Sequence, residues 1–198
     1  MADETRPYTM KRRAEQQEQT RRRITESAAE LHEARGPART SISAIAERAG
    51  VRRSTVYRHF PDEESLFIAC TSHWMDANMP PDLAAWGAIA DPDERLRAAL
   101  LELYGHYRRT QRMMENILRD EETMPIVKQM FSGFRDYLEG ARKTLMAGRG
   151  QRGRARRRVS AAIGHALHFN TWDSLAREQG LDDSEAAELM FRLVSEAR

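Results

Sequence analysis

The stretch Thr40–Phe60, with the sequence TSISAIAERAGVRRSTVYRHF, decides the fold of the N-terminal part of this chain. Its apolar residues recur at helical spacing for about two turns, Gly50 interrupts the pattern, and a second short helix is predicted over residues 52–59. Two helices that cross closely need a small residue on the first and an apolar residue on the second, and Ala46 and Val56 supply these. The spacing therefore predicts a helix-turn-helix within this stretch.

The outer face of the second helix is polar and basic. Its arginine, serine, threonine, tyrosine and histidine side chains can all donate hydrogen bonds to phosphates or base edges. These residues are Arg52, Arg53, Ser54, Thr55, Tyr57 and His59. An ordinary pair of antiparallel helices with a solvated, charged face would have a similar composition, so the helix alone leaves both interpretations open.

The same stretch resembles the DNA-binding domain of the tetracycline-repressor (TetR) family of transcription regulators. The resemblance includes both flanks and covers about 50 residues with many fixed spacings. The flanking matches are Thr20–Ile24, Ala28–Leu31 and Gly36 upstream, and Leu66 and Phe67 downstream. The resemblance implies three helices for DNA, a larger helical ligand domain, and a homodimer that leaves a palindromic operator when a small molecule binds. Repression is the commoner behaviour in that family.

The resemblance also implies roles for individual residues. The start of the recognition helix would face bases or nearby phosphates, and residues near its end would mainly hold phosphates. The first group is Arg53, Ser54 and Thr55, the second is Tyr57 and His59, and Ser43 would reach the DNA from the preceding helix. Because helix N-termini attract anions, Ser41 is also expected to hold a phosphate.

One position departs from the family pattern. The family usually has lysine three residues after the phenylalanine of the His-Phe pair, and this chain has Glu63. A cation for a phosphate is therefore missing there, which weakens that contact. Arg52 and Arg53, together with the basic run Lys11–Arg13 on the first helix, are the candidates to replace it.

The net charge of +2 hides an asymmetry between the two parts of the chain. Residues 1–60 carry 13 Lys and Arg against 8 Asp and Glu, which gives 13 − 8 = +5, and residues 61–198 carry 19 against 22, which gives 19 − 22 = −3. A basic N-terminal third is typical of a domain with a polyanionic partner. Charge alone is weak evidence, because a solvated helix face produces similar counts.

The pattern over the whole chain predicts an all-α fold of about nine helices. We expect a disordered arm over residues 1–9, a three-helix DNA-binding domain over residues 10–60, and a larger effector-binding and dimerisation domain over residues 61–198. Helices are predicted at 10–34, 42–49, 52–59, 62–78, 92–110, 111–119, 123–147, 154–178 and 183–196, with a loop at 79–91. Ser41, Asp62, Asp91 and Asp182 have the residue types that cap helix N-termini.

The central helices are rich in apolar residues, and the resemblance places a pocket for a bulky, largely apolar molecule among them. Methionine and aromatic side chains suit adaptable pockets, although the same spacing is typical of plain core packing. The candidate ligand-binding residues are Leu103, Tyr104, Tyr107, Met113, Met114, Ile117, Phe131, Phe134, His165, His168, Phe169 and Trp172.

His165 and His168 lie three residues apart on a predicted helix, a spacing that two metal ligands can use. No third ligand is near in sequence, and His106 would depend on an unknown contact, so we expect pocket lining or a dimer contact and no metal. The arginine-rich run over residues 149–158 is expected to be a solvated loop that leads into a helix, and not a second nucleic-acid site.

The last two helices are expected to form the homodimer interface. The final helix is apolar over a wider arc than a lone surface helix needs, and two such helices from each subunit would form a four-helix seam about a two-fold axis. The candidate interface residues are Ala162, Ala166, Met190, Phe191, Leu193 and Val194.

Several other classes of protein are disfavoured. No run of about 18 apolar residues spans a membrane, Met1–Lys11 lacks the apolar core of a secretion signal, and the one cysteine, Cys70, suits a reducing cytoplasm as a small apolar residue. Catalytic constellations and phosphate-binding glycine loops are missing, Asp120–Glu122 is interpreted as helix capping and solvation, and no enzyme activity or cofactor is expected. A ligand-binding or scaffold protein without DNA binding is the alternative function.

Overall fold

The computed structural model describes residues 5–197, with side chains from residue 10 onward. Within this range the chain forms ten α-helices and no β-strand, which confirms the predicted all-α fold. The helices are α1 Thr5–Arg35, α2 Ile42–Arg48, α3 Arg53–His59, α4 Glu63–Ala77, α5 Leu83–Ala88, α6 Pro92–Asp120, α7 Pro125–Met146, α8 Gly153–Leu167, α9 Phe169–Asp173 and α10 Asp183–Glu196. A 3₁₀ turn, Pro37–Arg39, follows α1, and a π-helical turn, Ser174–Glu178, follows α9.

The predicted helix caps are confirmed. The Ser41 side chain accepts a hydrogen bond from the backbone N–H of Ala44, and the Asp62 carboxylate accepts one from Ser65. At the start of α10, Asp182 and Glu185 form a complete capping box. Each of these satisfies backbone donors that a helix N-terminus leaves unpaired, so each start is fixed by local sequence.

Helix α1 begins earlier than predicted. It starts at Thr5, so residues 5–9 of the expected arm are helical, and residues 1–4 lie outside the described part of the chain. Pro7 falls in the first turn, where backbone N–H groups have no partner within the helix, so proline costs no hydrogen bond there. The helix ends at Gly36, as predicted, with φ at +93°.

Two further helix boundaries differ from the prediction. Residues 79–91 were expected to form a loop, but they contain α5, which Asp82 caps and which buries Trp86. The helices predicted on either side of residue 110 form the single helix α6. Thr110 does not interrupt α6, because its hydroxyl donates to the carbonyl of His106 within the same helix.

The helix predicted over residues 154–178 is broken at His168, whose ψ of 137° is extended. The break leaves the last carbonyl groups of α8 without partners in the helix. The Tyr104 hydroxyl donates to the carbonyl of Ala166 at 2.9 Å, and the Tyr107 hydroxyl donates to that of Leu167 at 2.6 Å. Side chains from α6 therefore stabilise the break.

The chain divides into two compact units. The first consists of Met1–Met79 and Glu115–Met130, and the second of Pro80–Met114 and Phe131–Arg198. The first unit has its own core of apolar side chains: Ile24, Ala28, Ile45, Ala46, Val56, Phe60, Leu66, Phe67, Cys70 and Val127. The core of the second unit includes Trp86, Leu96, Leu100, Leu103, Tyr104, Tyr107, Ile163 and Trp172. No helix of the described part is long and apolar enough to cross a membrane.

Candidate nucleic-acid interface

The turn between α2 and α3 is closed by two backbone hydrogen bonds. The N–H of Gly50 donates to the carbonyl of Glu47 at 3.1 Å, and the N–H of Val51 donates to the carbonyl of Ala46 at 2.9 Å. This is the Schellman arrangement, which needs a left-handed residue after the helix, and Gly50 has a φ of +64°. The predicted role of Gly50 in the turn is confirmed.

The inner side of the motif is fixed by burial. Val56, at the centre of α3, is only 1% exposed, and Phe60 follows α3 with an exposure of 1%. Both belong to the core of the first unit, in which α1 and α4 pack against each other and α1 also contacts α2 and α3. Because α3 has only seven residues, it depends on this packing, and the orientation of its outer face is set by Val56.

The outer side of the motif carries most of the predicted DNA-binding residues. Ser41, Ser43, Arg52, Arg53, Ser54 and Tyr57 are exposed, and Thr55 is half-buried. Among the described residues, Arg52, Arg53 and Arg58 have no carboxylate partner. The structure thus leaves these hydroxyl and guanidinium groups of α2 and α3 accessible as donors to phosphates or base edges.

His59 differs from the other predicted residues. It is half-buried, and its Nε2 atom is enclosed without a hydrogen-bond partner among the described atoms. Burial, with Arg58 and Arg21 nearby, lowers the pKa of the imidazole below its ordinary value. His59 is therefore neutral near pH 7 and does not add a charge to the surface.

Arg21 on α1 contacts the C-terminal end of α3, a positioning role that reasoning from the motif alone missed. Its guanidinium donates to the carbonyl of His59 at 2.7 Å and lies 4.2 Å from the centre of the Phe60 ring. Both contacts hold the C-terminal end of α3. The separation of 38 residues explains why the short helix gave no local signal for this partner.

Glu63, which departs from the family pattern, lies exposed in the first turn of α4. A carboxylate is favourable at this end of a helix, because the backbone dipoles place partial positive charge there. The structure accounts for Glu63 as a stabilising residue of α4. Lys11–Arg13, named as possible replacements for the missing cation, are exposed on α1.

The end of α6 is fastened to the end of α1 by side chains. Asn116 donates to the carbonyls of His32 and Glu33, and Arg119 donates to that of Arg35. Asp120 accepts from the backbone N–H of Ala38 and pairs with Arg119. The interpretation of Asp120 as a solvated capping residue was therefore wrong, because its carboxylate is buried against the turn that leads into α2.

The predicted ligand-binding residues do not form one group. Tyr107 is the centre of an aromatic cluster with Phe134, Phe169 and Trp172, at ring separations of 5.3 to 6.3 Å. Leu103, Tyr104, Met113 and Met114 are also buried in the second unit, Phe131 and Phe134 are half-buried, and Ile117 packs on the core of the first unit. Most of these side chains contribute to core packing.

His165 and His168 lie apart from the aromatic cluster. Both are exposed and line an open groove of about 630 Å³ with Asn170, Ser174 and Met190. Within the described residues, no three histidine, cysteine or acidic side chains are grouped as a metal site would need. These two histidines are surface residues of the face that α8, α9 and α10 share.

The predicted interface residues are divided between core and surface. Ala166, Met190, Phe191 and Val194 are buried within the chain, and the guanidinium of Arg97 covers the Phe191 ring at 3.4 Å. Leu193 is 45% exposed, Ala162 is half-buried, and the neighbouring Leu189, which was not predicted, is also exposed. Phe191 is therefore engaged by its own chain, and the available apolar surface of α10 is Leu189 with Leu193.

The two helices α2 and α3 and the turn at Gly50 have the geometry of a helix-turn-helix protein. Residues 24–70 match the family model described as "Bacterial regulatory proteins, tetR family". The chain is 33% identical over 82 residues to the HTH-type transcriptional regulator SrpR of Pseudomonas putida, a match that spans 38% of each protein. Residues 24–70 are therefore similar to the tetR family of bacterial regulatory proteins.

Solved structures agree on the fold over nearly the whole chain. A TetR-like transcriptional regulator from Rhodococcus sp. RHA1 has a TM-score of 0.65 at 21% identity, covering 89% of this chain and 94% of that one. SmeT, solved in complex with triclosan, has a TM-score of 0.61 at 23% identity, covering 90% of both chains. At these identities the matches show that the helices are arranged alike in the three proteins.

Proposed function

We propose that this protein is a sequence-specific DNA-binding transcription regulator that inserts α3 into the major groove. The observation that carries the proposal is the two-sided character of α3. Its buried Val56 fixes the helix in a core, while Arg52, Arg53 and Ser54 are exposed at its start. The first residues of a recognition helix are those that reach base edges in helix-turn-helix complexes.

Within this proposal the residues divide by what they contact. Arg53, Ser54 and Thr55 face bases or the phosphates beside them, and Arg53 has the fork of donors that suits guanine. Ser41, Ser43 and Tyr57 hold phosphates and fix the register of the protein on the duplex. His59 is neutral and half-buried, so its main contribution is to the packing at the end of α3.

We further propose that the protein acts as a homodimer, through the face formed by α8 and α10, on a palindromic operator. The exposed Leu189 and Leu193 and the groove beside Met190 support an apolar contact there. The control of DNA binding would be repression relieved by a small, largely apolar molecule bound among the central helices. The SmeT complex with triclosan supports a small-molecule effector.

A binding titration with the duplex upstream of the protein's own gene tests the DNA-binding proposal. Specific binding to that duplex, with a scrambled duplex of equal length bound only weakly, is the expected result. Equal binding to both, or none, would favour the ligand-binding or scaffold alternative. Arg112→Ala removes an exposed arginine of α6, and it is the control for the loss of one positive charge in Arg53→Ala.

Light scattering tests the dimer. Leu193→Glu should yield monomers that still melt cooperatively, because a charge would be buried at the seam without disturbing the subunit core. Phe191→Glu is expected to destabilise the subunit itself, since Phe191 is buried within its own chain. A dimeric Leu193→Glu variant would place the seam elsewhere.

A further inference from the structure

A groove of about 310 Å³ lies between the C-terminal half of α7 and the N-terminal half of α8. Arg142 and Lys143 line it from α7, and Arg156 and Ser160 line it from α8. Met146 and Ala147 form an apolar portion of its wall. Nothing in the proposed DNA contact or in the aromatic cluster uses these side chains.

The groove has an excess of positive charge. It contains three cationic side chains and one carboxylate, Glu139, which gives a formal charge of 3 − 1 = +2. Glu139 already accepts hydrogen bonds from Arg142 at 2.8 and 2.9 Å and lies 3.9 Å from the amine of Lys143. Among the described residues, Arg156 has no carboxylate partner. The groove therefore has uncompensated charge for an anion.

Arg142 is held in place by its neighbours and keeps donors to spare. Its Nε and Nη2 atoms donate to Glu139, and its Nη1 donates to the Ser160 hydroxyl. A guanidinium has five N–H donors, so 5 − 3 = 2 remain. An oriented guanidinium with free donors is the group that proteins use to bind phosphate in a fixed geometry.

Residues close to the groove in sequence add to its positive charge. Helix α8 contains no acidic residue, and Arg152, Arg154 and Arg157 are exposed near its start. The start of a helix already carries partial positive charge, so clustered arginines there repel one another and the helix dipole. A bound anion would relieve this repulsion.

We propose that this groove binds a small organic phosphate carrying at least two negative charges. Lys143 and Arg156 hold the phosphate from the two helices, and Arg142 directs its two remaining donors at it. The wall formed by Met146 and Ala147 takes the organic part, because a groove of this size exceeds what a bare phosphate fills. This site is additional to the proposed operator and effector contacts.

Isothermal titration calorimetry on the full chain, in a phosphate-free buffer, tests the site with pyrophosphate and with adenosine triphosphate as probes. We expect saturable binding of one anion per chain that weakens as salt rises. Arg156→Ala and Lys143→Ala should each reduce the affinity on the order of tenfold, because each removes a charged hydrogen bond. Arg156→Lys should lose less affinity than Arg156→Ala, and Arg112→Ala should bind the probes like the wild type.

Failure to observe saturable binding with either probe would overturn the proposal. A loss of affinity in Arg112→Ala equal to that in Arg156→Ala would also overturn it. Binding of a random DNA duplex that is lost in Arg156→Ala, without binding of the small probes, would also overturn it and assign this face to nucleic acid. Operator binding measured on the same variants depends on α3, so a failure of this site is distinguishable from a failure of the DNA-binding proposal.

Discussion

The carboxylate of Asp120, at the end of α6, accepts a hydrogen bond of 2.9 Å from the backbone N–H of Ala38, 82 residues earlier in the chain. Asp120 is 3% exposed and also pairs with Arg119, which in turn donates to the carbonyl of Arg35. One buried carboxylate thus organises the turn between the first two helices of the DNA-binding motif.

Replacing this carboxylate should destabilise the protein. Asp120→Ala leaves the N–H of Ala38 without its partner and removes the ion pair with Arg119, and we expect a loss of about 1–3 kcal/mol in the free energy of unfolding. Urea denaturation measures it. Asp76→Ala, on the exposed side of α4, is the control and should change the stability by less than about 0.5 kcal/mol. Equal stability of the two variants would contradict this role.

Two glycines offer a matched test of backbone conformation. An added Cβ at Gly50 or at Gly133 would meet no atom within 4 Å, so space does not distinguish them. Gly50 has a φ of +64°, whereas Gly133 lies within α7 and has no positive φ. Gly50→Ala should therefore lower the free energy of unfolding by about 1–2 kcal/mol, and Gly133→Ala should raise it by about 0.5–1 kcal/mol. Melting temperatures that shift in the same direction in both variants would contradict this expectation.

The parts of the structure that the sequence predicts well are those decided by neighbouring residues. Ser41, Asp62 and Asp182 cap their helices as expected, because a cap needs only a side-chain oxygen and an N–H two or three residues away. The turn at Gly50 is equally local. The helix-turn-helix and its exposed polar face follow from these short-range rules together with helical periodicity.

The parts that the sequence did not predict depend on distant partners. The three residues on each side of His168 include no proline or glycine, and the break there is stabilised by Tyr104 and Tyr107, about 60 residues earlier. Phe191 is predicted to contact a partner subunit, but the guanidinium of Arg97, 94 residues earlier in the chain, covers its ring. The boundary between domains at residues 60 and 61 stays a prediction.

Two buried histidines should make the stability depend on pH. Burial lowers the pKa of His32 and of His106 from 6.5 to about 4 in the folded protein. Between these values the unfolded chain binds protons that the folded chain does not, so stability is fully present above pH 6.5 and falls as the pH decreases towards 4. Each histidine should contribute on the order of 2–3 kcal/mol to this loss.

Urea unfolding at pH 7 and at pH 5 measures the effect. His106→Gln should reduce the difference in stability between the two pH values, because it removes one of the groups that titrate on unfolding. Ser72→Ala, which changes an exposed residue of α4 without an ionisable side chain, is the control and should retain the wild-type difference. If His106→Gln showed an undiminished difference, the loss at low pH would have to come from other groups.

The base-reading role of Arg53 can be separated from phosphate contacts by comparing specificity with salt dependence. Arg53 is exposed at the start of α3 without a carboxylate partner, so Arg53→Ala should leave folding unchanged. If its guanidinium bonds a guanine, the variant should lose about 1–3 kcal/mol of operator affinity and discriminate less at one base position. Tyr57→Phe should instead weaken all duplexes alike, because a phosphate contact carries no base information. Each lost contact of a cation with a phosphate should also flatten the dependence of log affinity on log salt by roughly 0.9. Titrations of both variants on operator and scrambled duplexes, at several salt concentrations, measure all three quantities. Retention of both affinity and base preference by Arg53→Ala would rule out direct base reading by this residue.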